Sequence, residues 1–292
     1  MLFFIIISLF DTIKLITLKR KKMKKFTTYS TLAIAALFLA TGCTQTINNS
    51  VKHESTQEST HEAAHETHHK HWGYSAEVGP SHWGELNEKF HMCSEGQQQS
   101  PIDVVATSDI ELPKLNINYK KGAKGVINNG HTVQVNIVDG DTLTLGGEAY
   151  TLKQFHFHTP SENHINGKAY PLEAHFVHAT ADGKLAVISV MFQEGTENPA
   201  LHRIIKLFPL GLNQEKSIKL PSEYVNNILP VDTSYYKFMG SLTTPPCSEQ
   251  VKWFVMKQPL TASVDQIAAM HKEIGKNNNR PIQASNGRKI ED

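Results

Sequence analysis

The sequence predicts a mainly β domain with short helices, and three observations carry that reading. Residues 133–138 and 142–145 alternate apolar and polar positions around Asp139-Gly140-Asp141, the pattern of two strands joined as a hairpin. Residues 185–192 form a near-continuous apolar run that suits a buried strand. Helical spacing is confined to residues 199–208 and 264–274. No repeat or second-domain linker interrupts this stretch, and the pattern alone leaves strand direction open.

In chain order the first segment is a leader. Residues 1–42 contain two apolar runs, 2–10 and 32–40, separated by Lys19-Arg20-Lys21-Lys22-Met23-Lys24-Lys25. The first run is too short to span a bilayer. From Met23 onward the segment reads by itself as an export signal, with a basic start, an apolar stretch and the small residues Ala40-Thr41-Gly42 before Cys43. The start is therefore open between Met1 and Met23. Small residues before a cysteine resemble a bacterial lipobox, in which Cys43 is lipidated and becomes the mature N-terminus, although Ala40 stands where a larger aliphatic residue is usual. Ordinary cleavage nearby and an uncleaved anchor are the alternatives.

Residues 43–70 are polar and repetitive, with histidines at 53, 61, 65, 68 and 69. Such a segment cannot bury a core and is expected to be a flexible tether. His61-Glu62-Ala63-Ala64-His65 matches the HExxH zinc-protease signature in form, but that motif needs a packed helix and a third ligand, and the tract has no apolar face. Loose metal capture by a His-rich tail fits its composition better. Residues 1–42 hold seven of the 29 Lys/Arg and one of the 28 Asp/Glu, so the remaining 250 residues carry a net charge of −5. A mildly acidic chain without a basic patch gives no support for nucleic-acid binding. Its length is ample for one large β domain, residues 71–292.

Chemistry concentrates in Gln154-Phe155-His156-Phe157-His158 and Leu172-Glu173-Ala174-His175-Phe176-Val177-His178. In a strand, residues two apart share a face, so His156 and His158 project together while Phe155 and Phe157 point to the opposite core. With His175 from the next strand, three neutral imidazoles make a tripod for Zn²⁺ that leaves a fourth tetrahedral position open, the mark of a catalytic site. Taken alone, His-Phe-His is also what an alternating strand with a polar face looks like. Gln154 and Glu173 favour the site: each stands two residues before a histidine on its face, where it fixes tautomer and basicity. A carboxylate in a sheet is costly unless paired.

From His71 nearly to the C-terminus the chain resembles the α-class carbonic anhydrases, through blocks in that family's order. They are His71-Trp72-Gly73-Tyr74, Gly79-Pro80-Ser81-His82-Trp83, Gln99-Ser100-Pro101-Ile102-Asp103, Asn128-Asn129-Gly130-His131, 154–158, Ser161-Glu162-Asn163-His164 and 173–178. Leu185-Ala186-Val187, Ser241-Leu242-Thr243-Thr244-Pro245-Pro246-Cys247 and Trp253 complete the series. Any one block is weak; their ordered co-occurrence is specific.

The resemblance implies a single domain on a large, mostly antiparallel, twisted central sheet, with zinc at the base of a conical cleft. It implies hydration of CO₂ to bicarbonate by zinc-activated water, with His156, His158 and His175 as ligands. Thr243 would accept the proton of the attacking hydroxide and pass its own to Glu162. Val177, Val187, Leu242 and Trp253 would line an apolar CO₂ pocket, with Tyr74 and Thr244 on its more polar side, and His131 would be the proton shuttle. Each has a plainer reading as a core, turn or surface residue. Cys93 and Cys247 match positions joined by a disulfide in bacterial members, against the alternative of two buried thiols. His164 and His178 are expected to make structural hydrogen bonds, and Asn163 departs from members that place histidine directly after the glutamate. Together these imply an enzyme on the periplasmic side of a bacterial cell envelope, lipid-anchored and, where the host has an outer membrane, sorted to it because Thr44 rather than Asp follows Cys43. Its partner is CO₂/bicarbonate, with membrane contact only through leader or lipid, and a homodimer is compatible with it. A related binding protein that has lost catalysis and a zinc-storage protein using the tether are the rivals.

Overall fold

The computed structural model describes residues 71–292, so the leader, Cys43 and the His-rich tether lie outside the described residues. Thirteen strands occur among the described residues: β1 (Asp103–Val104), β2 (Asn116–Asn118), β3 (Ala123–Asn128), β4 (Val133–Ile137), β5 (Thr142–Leu145), β6 (Glu148–His158) and β7 (His164–Ile165), then β8 (Leu172–Ala179), β9 (Leu185–Glu194), β10 (Lys216–Leu220), β11 (Tyr235–Ser241), β12 (Glu249–Met256) and β13 (Leu260–Ala262). The main sheet runs β10-β3-β4-β6-β8-β9-β12-β11, with β5 also on β6, β2 on β5 and β13 on β9. Within it only β9–β12 and β9–β13 are parallel. The mostly antiparallel sheet with short helices is the architecture the resemblance implied.

The hairpin expected around Asp139-Gly140-Asp141 does not form. β4 and β5 do not pair with each other; both lie antiparallel along β6, with Gln134 opposite His156 and Leu145 opposite Glu148. The reason lies in Asp141, which is buried and whose Oδ1 accepts hydrogen bonds from the backbone N–H groups of Lys120 (2.6 Å) and Lys121 (2.8 Å). The carboxylate thus ties the chain that leaves the Asp139-Gly140 turn to the segment before β3, so β5 does not fold back on β4. The tight hairpin is β5–β6, turned by Gly146 and Gly147 at φ 57° and 86°, a left-handed pair that glycine adopts without a Cβ penalty.

Alternation places the core. Phe155, Phe157, Phe176, Ile188 and Phe254 are buried in one apolar cluster, which Leu201, Ile204, Met270 and Ile274 of two helices join. Each such side chain contributes about 1.5–3 kcal/mol by leaving water. The first helix, Pro199–Ile205, starts at Asn198, whose side chain accepts from Ala200 and Leu201 N–H. It stops short of the expected residue 208, because Phe208 precedes Pro209, and proline disfavours helical geometry in the residue before it. The second, Val264–Ile274, has a Ser263/Gln266 capping box and ends on Gly275 at φ 80°.

Candidate metal centre

The strand register builds the site in three rungs on one face of the sheet. Gln154, Val177, Val187 and Trp253 form the first; His156, His175 and Ser189 the second; His158 and Glu173 the third. The histidine ring centroids stand 4.6–5.4 Å apart, and one nitrogen from each ring lies within 4.8 Å of the others. His158 and His175 are buried, while His156 is partly open to a cleft lined also by Trp72, Tyr74, His131 and Thr244.

The opposite nitrogen of every ring is already engaged. His156 Nδ1 is 2.9 Å from Gln154 Oε1, and His158 Nδ1 is 2.7 Å from the Asn278 carbonyl. His175 Nε2 is 2.7 Å from Glu173 Oε1. Carbonyl and carboxylate oxygens only accept, so each of these nitrogens carries the hydrogen and the other presents a lone pair to the cluster. His158 Nε2 is buried without a hydrogen-bond partner, a costly state that a metal ion relieves. Burial, reinforced by its histidine neighbours, holds His156 well below the usual histidine range. Burial also lowers His158, against the pull of the Asn278 carbonyl. Neutral rings are what ligation requires, so this donor set fits a zinc-type ion.

Glu173 is the hub beneath the tripod. Its Oε1 accepts from His175, Asn163 Nδ2 (2.9 Å) and Ser189 Oγ (2.6 Å), and its Oε2 from the backbone N–H of Glu162 (2.6 Å) and Asn163 (3.0 Å). Burial alone would raise its pKa, but the adjacent His175 ring and hydrogen bonds from His175, Asn163 and Ser189 bring it down to about 2. Glu162 goes the other way: burial raises it to about 7, opposed by His175, the Arg280 N–H and the Thr243 hydroxyl. Its Oε1 accepts from Arg280 N–H at 2.8 Å. Its Oε2 has no hydrogen bond of full geometry and lies 3.4 Å from His158 Nε2 and 3.8 Å from His175 Nδ1.

Val177, Val187, Leu242 and Trp253 lie in one apolar cluster, and the Trp253 ring sits 5.0 Å from that of His175. Tyr74 and Thr244 line the cleft. His131 faces the same cleft, but its ring is stacked on Trp72 at 3.6 Å. Burial, with His71 and Lys276, lowers its pKa to about 4, far from the neutral value that matched proton exchange favours. Cys93 and Cys247 form a disulfide, Cα–Cα 5.0 Å. His178 makes structural hydrogen bonds, to Tyr119 and the Ala186 carbonyl.

Sequence reasoning missed Ser189, Asn278 and Arg280, and left Asn163 without a role. Ser189 had a signal: it is the one hydroxyl within the apolar run 185–192. Asn278 and Arg280 act across more than 110 residues of chain, through a backbone carbonyl and a backbone N–H, and such contacts leave no local pattern.

Comparison with known proteins agrees with this geometry. Residues 78–292 match the family model described as eukaryotic-type carbonic anhydrase. A carbonic anhydrase of Pectobacterium carotovorum is 46% identical over 220 residues, covering 75% of this chain and 90% of the relative. One of Klebsiella pneumoniae is 44% identical over 222 residues, covering 75% and 90%. The solved α-carbonic anhydrase of Photobacterium profundum superposes with a TM-score of 0.71 at 46% identity, covering 76% of this chain and all of that one.

Proposed function

The chain belongs to the α-class carbonic anhydrases and is an enzyme of reversible CO₂ hydration with a three-histidine zinc-type site, and from that premise we propose how its residues divide the work. His156 and His158 would hold Zn²⁺ through Nε2 and His175 through Nδ1. The observation that carries this is the engagement of each ring's other nitrogen, with His158 Nε2 left buried and unpaired. Zinc, when bound, supplies the Lewis acidity that makes water a nucleophile at neutral pH, behaviour for which carbonic anhydrase is the standard example.

The remaining steps belong to side chains. Glu162 accepts the Thr243 hydroxyl hydrogen, which leaves the Thr243 oxygen to accept one from the attacking water and to aim its free lone pair at CO₂. The interaction between Thr243 and the Glu162 carboxyl supports that order. Val177, Val187, Leu242 and Trp253 hold CO₂, an uncharged molecule that ion pairing cannot retain. Tyr74 and Thr244 border the polar side of the cleft, and His131 carries the product proton outward.

Residues 1–42 serve as leader, 43–70 as tether and 71–292 as the catalytic domain; the chain is exported, anchored by lipid at Cys43 on the periplasmic side of a bacterial envelope, and compatible with a homodimer. Among the described residues no helix is long and apolar enough to cross a membrane.

Steady-state hydration measured per bound zinc tests the catalytic assignments. Thr243→Ala should keep its metal and lose kcat/KM, and His131→Ala should lose kcat in weak buffer, recoverable with imidazole, at nearly constant kcat/KM. Unchanged kcat/KM in the first, or unchanged kcat in the second, removes that residue from the mechanism. Residues 71–292 alone should retain one tightly held zinc; a metal-free domain would overturn the ligand assignment.

A further inference from the structure

The sequence shows no basic run, but folding gathers a basic face. Residues 71–292 carry 20 Lys/Arg and 23 Asp/Glu, a net charge of −3, whereas residues 203–219 hold four of those cations and one acid. Arg203 lies in the helix Pro199–Ile205, Lys206 directly follows it, and Lys219 belongs to β10. The three rim a groove of about 490 Å³ whose floor is Leu207, Ile218, Leu220 and Tyr224, with Glu223 as its acid.

The rim cations are exposed and available. Lys184, Lys237, Lys257 and Lys289 each face a carboxylate, but the side chains of Lys206 and Lys219 have no hydrogen-bond or ion-pair partner among the described residues. Arg203 is held by Tyr224: one terminal nitrogen donates to the hydroxyl at 3.0 Å, and the guanidinium carbon stands 4.9 Å from the ring centre. Its other N–H groups remain for the oxygens of an anion. A phosphodiester headgroup with glycerol and methylenes beneath it matches cations over an apolar floor, whereas a free anion gains nothing from Leu207 and Ile218.

The groove also has a definite place relative to the metal centre. Leu207, Ile218 and Tyr224 pack against the cluster that holds Phe155, Phe157 and Phe176. Those rings lie on the face of the sheet opposite His156 and His158.

We propose that this groove is a contact surface for an anionic phospholipid bilayer, which seats the domain with its cleft turned to the aqueous side, where CO₂, bicarbonate and buffer exchange. This rests on the lipid anchor proposed at Cys43. A coil of residues 43–70 would reach about 30 Å, so an anchored domain stays within touching distance of the bilayer. The net negative charge of the domain is repelled by such a surface, which leaves the basic face as the one that approaches it. Each cation close to an anionic bilayer favours contact by about 5-fold, and three together by about 100-fold.

The test uses the full-length, envelope-processed, zinc-loaded protein on vesicles of phosphatidylcholine with or without phosphatidylglycerol. Amide exchange of residues 199–224 should slow on the anionic vesicles alone, and high salt should reverse this. Lys206→Gln together with Lys219→Gln should weaken contact with anionic vesicles about 30-fold, at unchanged kcat/KM and Tm. Equal exchange on the two vesicle types, or protection spread over every face, overturns the inference. The same protection by inorganic phosphate in solution also overturns it, because the groove would then be a free-anion site. Failure of the anchor reads out separately, as loss of sedimentation with phosphatidylcholine. Sedimentation with anionic vesicles in that case still supports the groove, and its absence overturns it.

Discussion

Replacing Glu173 by glutamine separates charge from shape at the hub of the site. The carboxylate is buried and receives five hydrogen bonds, two on Oε2 from backbone N–H groups and three on Oε1. An amide has one acceptor oxygen, so one side must face donors with an NH₂. If the NH₂ faces Glu162 and Asn163, two buried backbone donors lose their partner, at about 1–3 kcal/mol each. If it faces His175, the ring's Nε2 must accept, which moves the hydrogen to Nδ1, the atom aimed at the metal. The first orientation destabilises the fold by about 2–6 kcal/mol in total, and the second forfeits a ligand. Either way metal affinity should fall by about 10- to 100-fold, as it does when an outer partner of a ligand histidine is changed. Zinc competition against a chelator, paired with thermal unfolding of the zinc-loaded protein, reads both effects. Wild-type affinity together with wild-type Tm would refute the reasoning, because no placement of an amide satisfies all five donors.

Replacing both Cys93 and Cys247 with alanine opens a bridge between residues 154 apart and should cost about 3–5 kcal/mol in denaturant unfolding, on a chain-entropy account; an unchanged midpoint would contradict it. His178 should make stability depend on pH between 4 and 6.5. Burial lowers its folded pKa from 6.5 to about 4, so the unfolded chain binds the extra proton in that window and stability is lost as pH falls through it. Against a His178→Gln variant the wild type should lose about 3 kcal/mol more between those limits, and parallel curves would exclude the residue as the source.

The parts of the fold legible in the sequence were those set by local periodicity. Alternation at 154–158 placed His156 and His158 on one face and Phe155 and Phe157 on the other, and the apolar run at 185–192 is a buried strand. At Asp139-Gly140-Asp141 the turn forms but the hairpin does not, because Asp141 is anchored on the backbone donors of Lys120 and Lys121, contacts that leave no local pattern. Gly146-Gly147, an equally local signal, marked the true hairpin. At the site the ligand types and spacing were legible, whereas the tautomer of His158 was not, because its partner is the main-chain carbonyl of Asn278.

That hidden layer links metal holding to proton handling. Glu173 receives the hydrogen of His175 on Oε1 and the backbone N–H of Glu162 on Oε2, so one carboxylate sets a ligand ring and the residue proposed to receive the Thr243 hydrogen. The two acids sit within one hydrogen-bonded group, yet Glu173 is held down at about 2 and Glu162 pushed up to about 7. Burial raises both and His175 lowers both. On Glu173 the side-chain hydrogen bonds from His175, Asn163 and Ser189 outweigh burial. Glu162 has only the Arg280 N–H and the Thr243 hydroxyl besides, and the Glu173 carboxylate pushes it up further. Glu173 is thereby fixed as an anion that keeps the His175 hydrogen on Nε2. Glu162, with Oε2 unpaired, retains the capacity to accept a hydrogen from Thr243. Asn163 belongs to this division, because its side chain donates to Glu173 and accepts from the Ile102 N–H at 3.1 Å. An asparagine directly after Glu162 therefore ties the turn that carries Glu162 both to Glu173 and to the chain before β1.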